Sequence, residues 1–133
     1  MIAAISGLPY FLLYFGIAVA LVALYLFVYA FMTRQNELAL IRQNVQSAAI
    51  ASGLGLIGFA LPLSSAIVYS RNVPDLVVWG LVAVIVQVLV FWLVRLLVPN
   101  LSERIASGEL SSALFLGAAS LAGGIINAAS MTY

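Results

Sequence analysis

The sequence contains no cysteine, no histidine and little charge, with five basic and four acidic residues among 133. The missing cysteine and histidine exclude disulfides, thiolate chemistry and the commonest ligand sets of zinc, haem and iron–sulfur sites, so we expect no metal and no cofactor. A serine nucleophile would lack a base, because neither histidine nor lysine occurs in the chain. We therefore predict a protein without catalytic residues that is not an enzyme.

The scarcity of charge also predicts the class of protein. Hydrophobic residues make up 65% of the sequence and charged residues 7%, and the mean hydropathy is +1.22. In a soluble domain about a quarter of the residues are charged, so most of the surface of this protein must face the lipid of a bilayer. The formal net charge of +1 is too small to attract a polyanion, which excludes nucleic acid as a partner.

Four apolar runs are long enough to span a bilayer, and charged residues or proline bound them. They cover residues 10–32, 47–69, 75–98 and 111–131. Each run must be helical, because lipid offers no hydrogen-bond partner to backbone amides. We predict an all-α membrane protein with four transmembrane helices in a single domain, residues 1–133. The first run is longer than a signal-peptide core and follows no basic residue, so we expect it to be a span.

The arginines predict the orientation of the spans. Arg34, Arg42, Arg95 and Arg104 lie in or beside the first and third linkers, whereas Arg71 lies in the second. The positive-inside rule then places linkers one and three in the cytoplasm and both termini on the other side. Arg95 lies within the third run, one turn from its end, where we expect its side chain to reach the headgroups rather than to form an ion site.

A shift of 64 residues, which brings Ser6 onto Ser70, aligns the two halves of the chain without a gap. Under this shift both helical hairpins and both cytoplasmic linkers coincide. Each half holds two spans, an even number, so the halves share one orientation. The sequence thus predicts two tandem parallel helical-hairpin repeats, at about 5–69 and 70–133, related by an axis along the membrane normal.

Small residues recur at helical spacing and predict seams where helices pack. These are Gly16 and Ala20 in the first span, Gly55 and Gly58 in the second, and Gly117 and Gly124 in the fourth. Helices in lipid associate by close approach over such residues, within one chain or between copies, which favours a homo-oligomer. Pro62 predicts a kink and a free carbonyl near Gly58, which Ser65 or water would satisfy.

A few polar side chains lie inside the spans. They are Gln87, Asn127, Ser64, Ser65 and, on a tyrosine face of the first span opposite Gly16, Tyr14 and Tyr25. A polar group in lipid costs free energy unless it is paired, so these residues predict interhelical or intersubunit contacts or, alternatively, the lining of a solute path. The spans lack the embedded glutamate of small multidrug-resistance exporters, and the arginine bias departs from the dual topology of the small fluoride channels.

The first and third linkers predict short amphipathic helices. Leu38 and Ile41 fall at helical spacing next to Arg42 in the first linker, and Arg104 lies in the third. Helices of this pattern lie flat in the headgroup layer. These four residues form a candidate surface for a cytoplasmic partner, with a plain connector as the alternative. Asn100, followed three residues later by Glu103, predicts a capping box in the third linker.

Several motifs spread over nearly the whole chain resemble those of the YjfL-type inner-membrane proteins, the family called domain of unknown function 350. They are residues 61–66, Pro74-Asp75, Trp79-Gly80, Gln87, Arg95 followed by Pro99, and residues 121–124, 127–129 and 131–132. The resemblance implies a four-span inner-membrane protein of bacteria, in which the orientation predicted from the arginines would place both termini in the periplasm. It also implies a gene often found near phage-shock-protein-A-like membrane-remodelling proteins and ATP-grasp ligases, and no established activity.

Two functions follow as expectations from these observations. In the first, the protein is a non-catalytic component of envelope maintenance or stress response that assembles with itself or binds a cytoplasmic membrane-remodelling partner. In the second, it is a small oligomeric channel or passive transporter for an ion or small solute. Four spans enclose little volume, so conduction would require several copies.

Overall fold

The computed structural model describes residues 2–33 and 37–131, which form α-helices joined by short connections. The helices are α1 (Ile2–Thr33), α2 (Glu37–Arg42), α3 (Gln46–Tyr69), α4 (Val73–Leu97), α5 (Leu101–Ala106) and α6 (Leu110–Ser130). Helices α1, α3, α4 and α6 are long and apolar enough to cross a membrane. The predicted all-helical class with four candidate spans is confirmed. Helices α2 and α5 lie in the first and third linkers, at what we call the linker end of the bundle.

The starts of α4 and α5 differ in how an asparagine takes part. Asn72 caps α4, because its side-chain oxygen accepts a hydrogen bond from the Asp75 amide at 2.9 Å, and Pro74 lies in the first turn. The capping box predicted at Asn100 is wrong. Asn100 has φ 57° and its side chain makes no capping hydrogen bond, whereas a side-chain cap needs extended backbone at that position.

Helices α3 and α6 form the most extensive interhelical contact, and α4 packs against both. As the second and fourth spans, α3 and α6 run in the same direction. Their backbones touch at Gly58 and Gly124. A Cβ at Gly58 would collide with the Ser120 carbonyl oxygen, and a Cβ at Gly124 would collide with the Gly58 carbonyl oxygen. Only glycine on both helices permits this approach, so Gly58 and Gly124 lie at a seam within the chain.

Helix α1 packs against α3 and α4 through large side chains rather than small ones. The Tyr25 ring stacks on Phe59 with 4.8 Å between ring centroids, and Tyr29 meets Phe91 edge-on at 6.2 Å. Leu21 is buried against Gly80 of α4. The tyrosine face of α1 therefore points toward the bundle in its linker-end half.

The predicted pair Gly16 and Ala20 does not form a packing seam with the other described helices of the chain. Both residues are exposed, and a Cβ at Gly16 would meet no atom within 4 Å. The physical reason is that the small residues at this interface lie on the partner helices, where they make room for the large side chains of α1. Gly55, for example, faces the Tyr25 hydroxyl group. The Gly16 face of α1 thus points away from the other three spans.

Candidate functional site

Gln87 joins three spans in the middle of the bundle. It is a buried residue of α4, and its side-chain nitrogen donates to the Gly58 carbonyl of α3 at 3.1 Å and to the Ser120 carbonyl of α6 at 3.2 Å. Both protons of the carboxamide therefore have acceptors on neighbouring helices. We call Gln87, Gly58 and Ser120 the central polar contact.

Pro62 explains why the Gly58 carbonyl is free to accept a hydrogen bond from another helix. Proline has no backbone N–H, so the carbonyl four residues earlier in α3 loses its usual intrahelical donor. The sequence indicates this free carbonyl but suggests Ser65 or water as its partner, whereas the structure shows a donor from Gln87. Helix α3 continues through Pro62 to Tyr69.

The remaining glycines of the predicted seams receive side chains from neighbouring helices. A Cβ at Gly117 would meet the side chain of Leu54, and a Cβ at Gly55 would lie 2.6 Å from the Tyr25 hydroxyl oxygen. Each glycine thus forms a recess for one large residue. A side chain that fills such a recess sets the position of its helix relative to the neighbouring helix, both along and across the bundle.

The other polar residues of the spans occupy separate environments. Asn127 is buried, and its side-chain nitrogen has no hydrogen-bond partner among the described residues. Ser64 is exposed on the outside of α3 and Ser65 is half-buried. In the described part of the chain, the structure therefore brings Gln87 to Gly58 but does not gather these residues into one polar lining within a single copy.

Tyr14 and Tyr25 also differ from each other. Tyr25 is buried against Phe59 and Gly55 in the linker-end half of the bundle. Tyr14 is half-buried in an apolar groove of about 330 Å³, which it lines together with Tyr10 and with Ile67 of α3. Tyr25 therefore anchors α1, whereas Tyr14 belongs to an open groove between α1 and α3.

The two linker helices differ in what they expose. On α2, Leu38 is 64% exposed and Ile41 is 39% exposed, next to the exposed Arg42. On α5, both large apolar residues, Leu101 and Ile105, are buried. Helix α5 is thus built into the bundle, whereas α2 presents apolar side chains outward.

Polar contacts hold α5 in place. The buried Ser47 hydroxyl of α3 donates to the Ile105 carbonyl at 2.5 Å. The Arg104 side chain lies 3.6 Å from the Glu109 carboxylate, an exposed ion pair of the kind that adds little stability. Arg104 and Arg42 both lie at the linker end, as the sequence predicts, but only Arg104 belongs to the anchored helix.

The described residues contain no group of three histidine, cysteine, aspartate or glutamate side chains that could hold a metal ion. The chemistry of the central polar contact is limited to hydrogen bonds that hold helices together. The outward side chains of α1 and α2 include exposed apolar residues.

Comparison with known proteins gives one family. The profile described as Domain of Unknown Function (DUF350) matches residues 3–131. The chain is 43% identical over 129 residues to the "UPF0719 inner membrane protein YjfL" of Escherichia coli strain K12, covering 97% of this chain and 98% of that protein. The protein of the same name from Escherichia coli O157:H7 shows the same identity and coverage. No solved structure matches the chain significantly.

Proposed function

This chain belongs to the DUF350 family, and from that premise we propose that it is a non-catalytic inner-membrane scaffold that assembles with itself and binds a cytoplasmic partner. The name of the Escherichia coli relative supports the inner-membrane location. The observation that carries the proposal is the outward exposure of Leu38 and Ile41 on α2, while α5 buries its own apolar residues.

The chemistry of α2 defines the partner surface. Leu38 and Ile41 offer apolar area, and Arg42 adds a positive charge beside them. An amphipathic helix of a partner, with an apolar stripe and acidic residues next to it, has the complementary surface. A membrane-remodelling protein of the phage-shock-protein-A type, which the family resemblance implies as a neighbour, is the partner we propose.

The proposed orientation places the linker end in the cytoplasm and both termini in the periplasm. Arg42, Arg95 and Arg104 lie at or beside the linker end, and Arg71 lies at the opposite end. Arg34, which the same prediction uses, lies outside the described residues. The excess of arginine at the linker end supports this orientation by the positive-inside rule.

Helix boundaries support the proposed tandem repeat. Under the shift of 64 residues, α2 at 37–42 falls on α5 at 101–106, α3 and α6 begin at 46 and 110, and α1 and α4 end at 33 and 97. The shift also brings Asn44, with φ 64°, onto Gly108, with φ 98°. Each of these two residues comes after a linker helix and has a left-handed backbone conformation. The two halves therefore use the same kind of turn at this point.

The outward face of α1 supports the proposed self-assembly. Gly16 and Ala20 are exposed and spaced four residues apart, and Ala23 continues the same line. Small residues at this spacing let two helices approach closely in lipid. We propose that this face of α1 packs against α1 of a second copy.

Replacing Leu38 and Ile41 together by glutamate is expected to weaken partner recruitment by about tenfold or more, because apolar anchors dominate such interfaces. The measurement is co-flotation of the host's phage-shock-protein-A-like protein with vesicles that contain the full chain, against empty vesicles. Gln43→Glu is the matched control, since it adds one negative charge next to α2 and removes no apolar surface. Equal recruitment by the double variant and the wild type would contradict the partner surface.

Self-assembly is tested with a single introduced cysteine, which gives no background because the chain has none of its own. Ala23→Cys should form a disulfide-linked dimer in membranes, and adding Gly16→Leu with Ala20→Leu should reduce that dimer to background by steric bulk. Ala118→Leu, which enlarges an exposed alanine on α6, should leave the dimer unchanged. A dimer that survives the two leucines would rule out this face.

A further inference from the structure

A small cavity lies at the linker end, where α1 and α4 end and α5 begins. It has a volume of about 120 Å³ and is lined by Thr33 of α1, Arg95 of α4 and Asn100, Ser102 and Glu103 at the start of α5. Its walls are polar in a chain that is mostly apolar. None of these residues belongs to the central polar contact or to the α2 surface.

Arg95 brings a positive charge to the cavity and forms no ion pair with a described side chain, although the Glu103 carboxylate lines the same cavity. The ion pair seen among the described side chains joins Arg104 to Glu109, and no carboxylate lies within ion-pair distance of Arg95 in the described part of the chain. The guanidinium carbon of Arg95 lies 5.0 Å from the ring centroid of Trp92, a cation–π contact. Since no described carboxylate pairs with the guanidinium, its N–H groups can donate to an anion.

Two further hydrogen-bond donors line the cavity. The Asn100 side chain is not used as a helix cap, because Asn100 has taken the left-handed conformation. Ser102 adds a hydroxyl group. A guanidinium with an amide and a hydroxyl is a donor set that suits a phosphate oxygen, because ionised acceptors form the stronger hydrogen bonds.

The position of the cavity indicates where that phosphate comes from. Thr33 is the last residue of the first span and Arg95 lies in the last turn of the third, so the cavity is at the depth of the lipid headgroups. Next to the lining residues, Phe31 of α1 and Leu96 of α4 are among the most exposed apolar side chains of the chain. A lipid with its phosphate in the cavity would have its acyl chains at the depth of such exposed apolar residues.

We propose that this cavity binds the phosphate group of an anionic phospholipid of the phosphatidylglycerol class, with Arg95 as the cation and Asn100 and Ser102 as donors. Glu103, which also lines the cavity, opposes a second negative charge and so favours a singly charged phosphodiester over a phosphate monoester. The inference does not depend on the partner surface or on self-assembly.

Native mass spectrometry of the full chain in detergent tests the proposal, with phosphatidylglycerol, phosphatidylcholine, glycerol phosphate and inorganic phosphate titrated separately. We expect the first phosphatidylglycerol to bind about tenfold more weakly to Arg95→Gln than to the wild type, since one charge-assisted contact is lost. Arg104→Gln is the matched control, because that arginine lies at the same end but is paired with Glu109, and it should bind as the wild type does. Glu103→Gln should bind more tightly.

Each other outcome counts against the proposal. Equal binding by Arg95→Gln and the wild type, or equal loss in Arg104→Gln, would overturn the site and leave only general attraction to basic residues. Equal affinity for phosphatidylcholine would overturn the anionic selectivity. Displacement of the lipid by glycerol phosphate or inorganic phosphate would show a site for free phosphate instead. If Arg95→Gln unfolds, Arg95→Lys and Ser102→Ala replace it, and both should weaken binding by a smaller factor.

Discussion

Replacing Gln87 by leucine is expected to lower the free energy of unfolding by about 1–3 kcal/mol, because it leaves the buried Gly58 carbonyl without a donor and removes a second hydrogen bond to the Ser120 carbonyl. The Gly58 carbonyl has already lost its intrahelical donor at Pro62, so in the variant neither the helix nor α4 supplies one. The measurement is unfolding of the purified chain by titrating SDS into mixed micelles. Gln87→Met, which keeps the length of the side chain and removes the amide, should behave in the same way.

Asn127→Leu is the matched control for this prediction. Asn127 is also a buried amide in a span, but its nitrogen has no partner among the described residues. Replacing an amide that lacks a partner removes a desolvation cost without removing a bond to that nitrogen, so we expect unchanged or higher stability. If Gln87→Leu and Asn127→Leu lose equal stability, the hydrogen bonds of the central polar contact do not account for the loss in Gln87→Leu. If Gln87→Leu instead lowers solute flux at unchanged stability, the channel function gains support.

Gly124→Ala is expected to destabilise the chain by about 1–3 kcal/mol, which is the usual cost of overpacking. The added methyl group would collide with the Gly58 carbonyl oxygen, a backbone atom that cannot move away without separating α3 from α6. The same SDS titration measures the loss. Gly53→Ala is the control, since a Cβ there meets no atom within 4 Å and alanine favours the helix, so that variant should be as stable as the wild type or more stable.

These two predictions concern the same atom, and their effects should therefore not add. The Gly58 carbonyl oxygen accepts from Gln87 and also lies against Gly124. Once Gly124→Ala has pushed the helices apart, the distance from Gln87 to its acceptors on α3 and α6 has already increased. The double variant should lose less stability than the sum of the two single losses, as expected for residues that share a partner.

The four spans could be predicted from the sequence because a bilayer permits so few solutions. The second and fourth predicted runs, 47–69 and 111–131, lie within one residue of α3 and α6 at each end. The first predicted run, 10–32, is shorter than α1, because a boundary at proline places its start after Pro9. Helix α1 begins at Ile2 and continues through Pro9, as membrane-spanning helices can.

The site was less predictable, because its contacts join residues far apart in the chain. Pro62 indicated a free carbonyl near Gly58, yet nothing in the local sequence could indicate that the donor would come from Gln87, on another span. The small residues of α1 were assigned to packing by their spacing alone. Spacing shows which residues share a face, but not whether that face meets another helix of the same chain, and here it does not.

The length of α1 has a mechanical consequence for the membrane around it. At 1.5 Å per residue, its 32 residues extend about 48 Å, whereas the 21 residues of α6 extend about 32 Å, close to the thickness of the hydrocarbon layer. To keep its apolar surface in lipid, α1 must lean, or the bilayer must thicken on that side. Because the buried apolar side chains of α1 among the described residues, Leu21, Tyr25 and Tyr29, lie in its linker-end half, we expect a change in bilayer thickness to tilt α1 about these contacts.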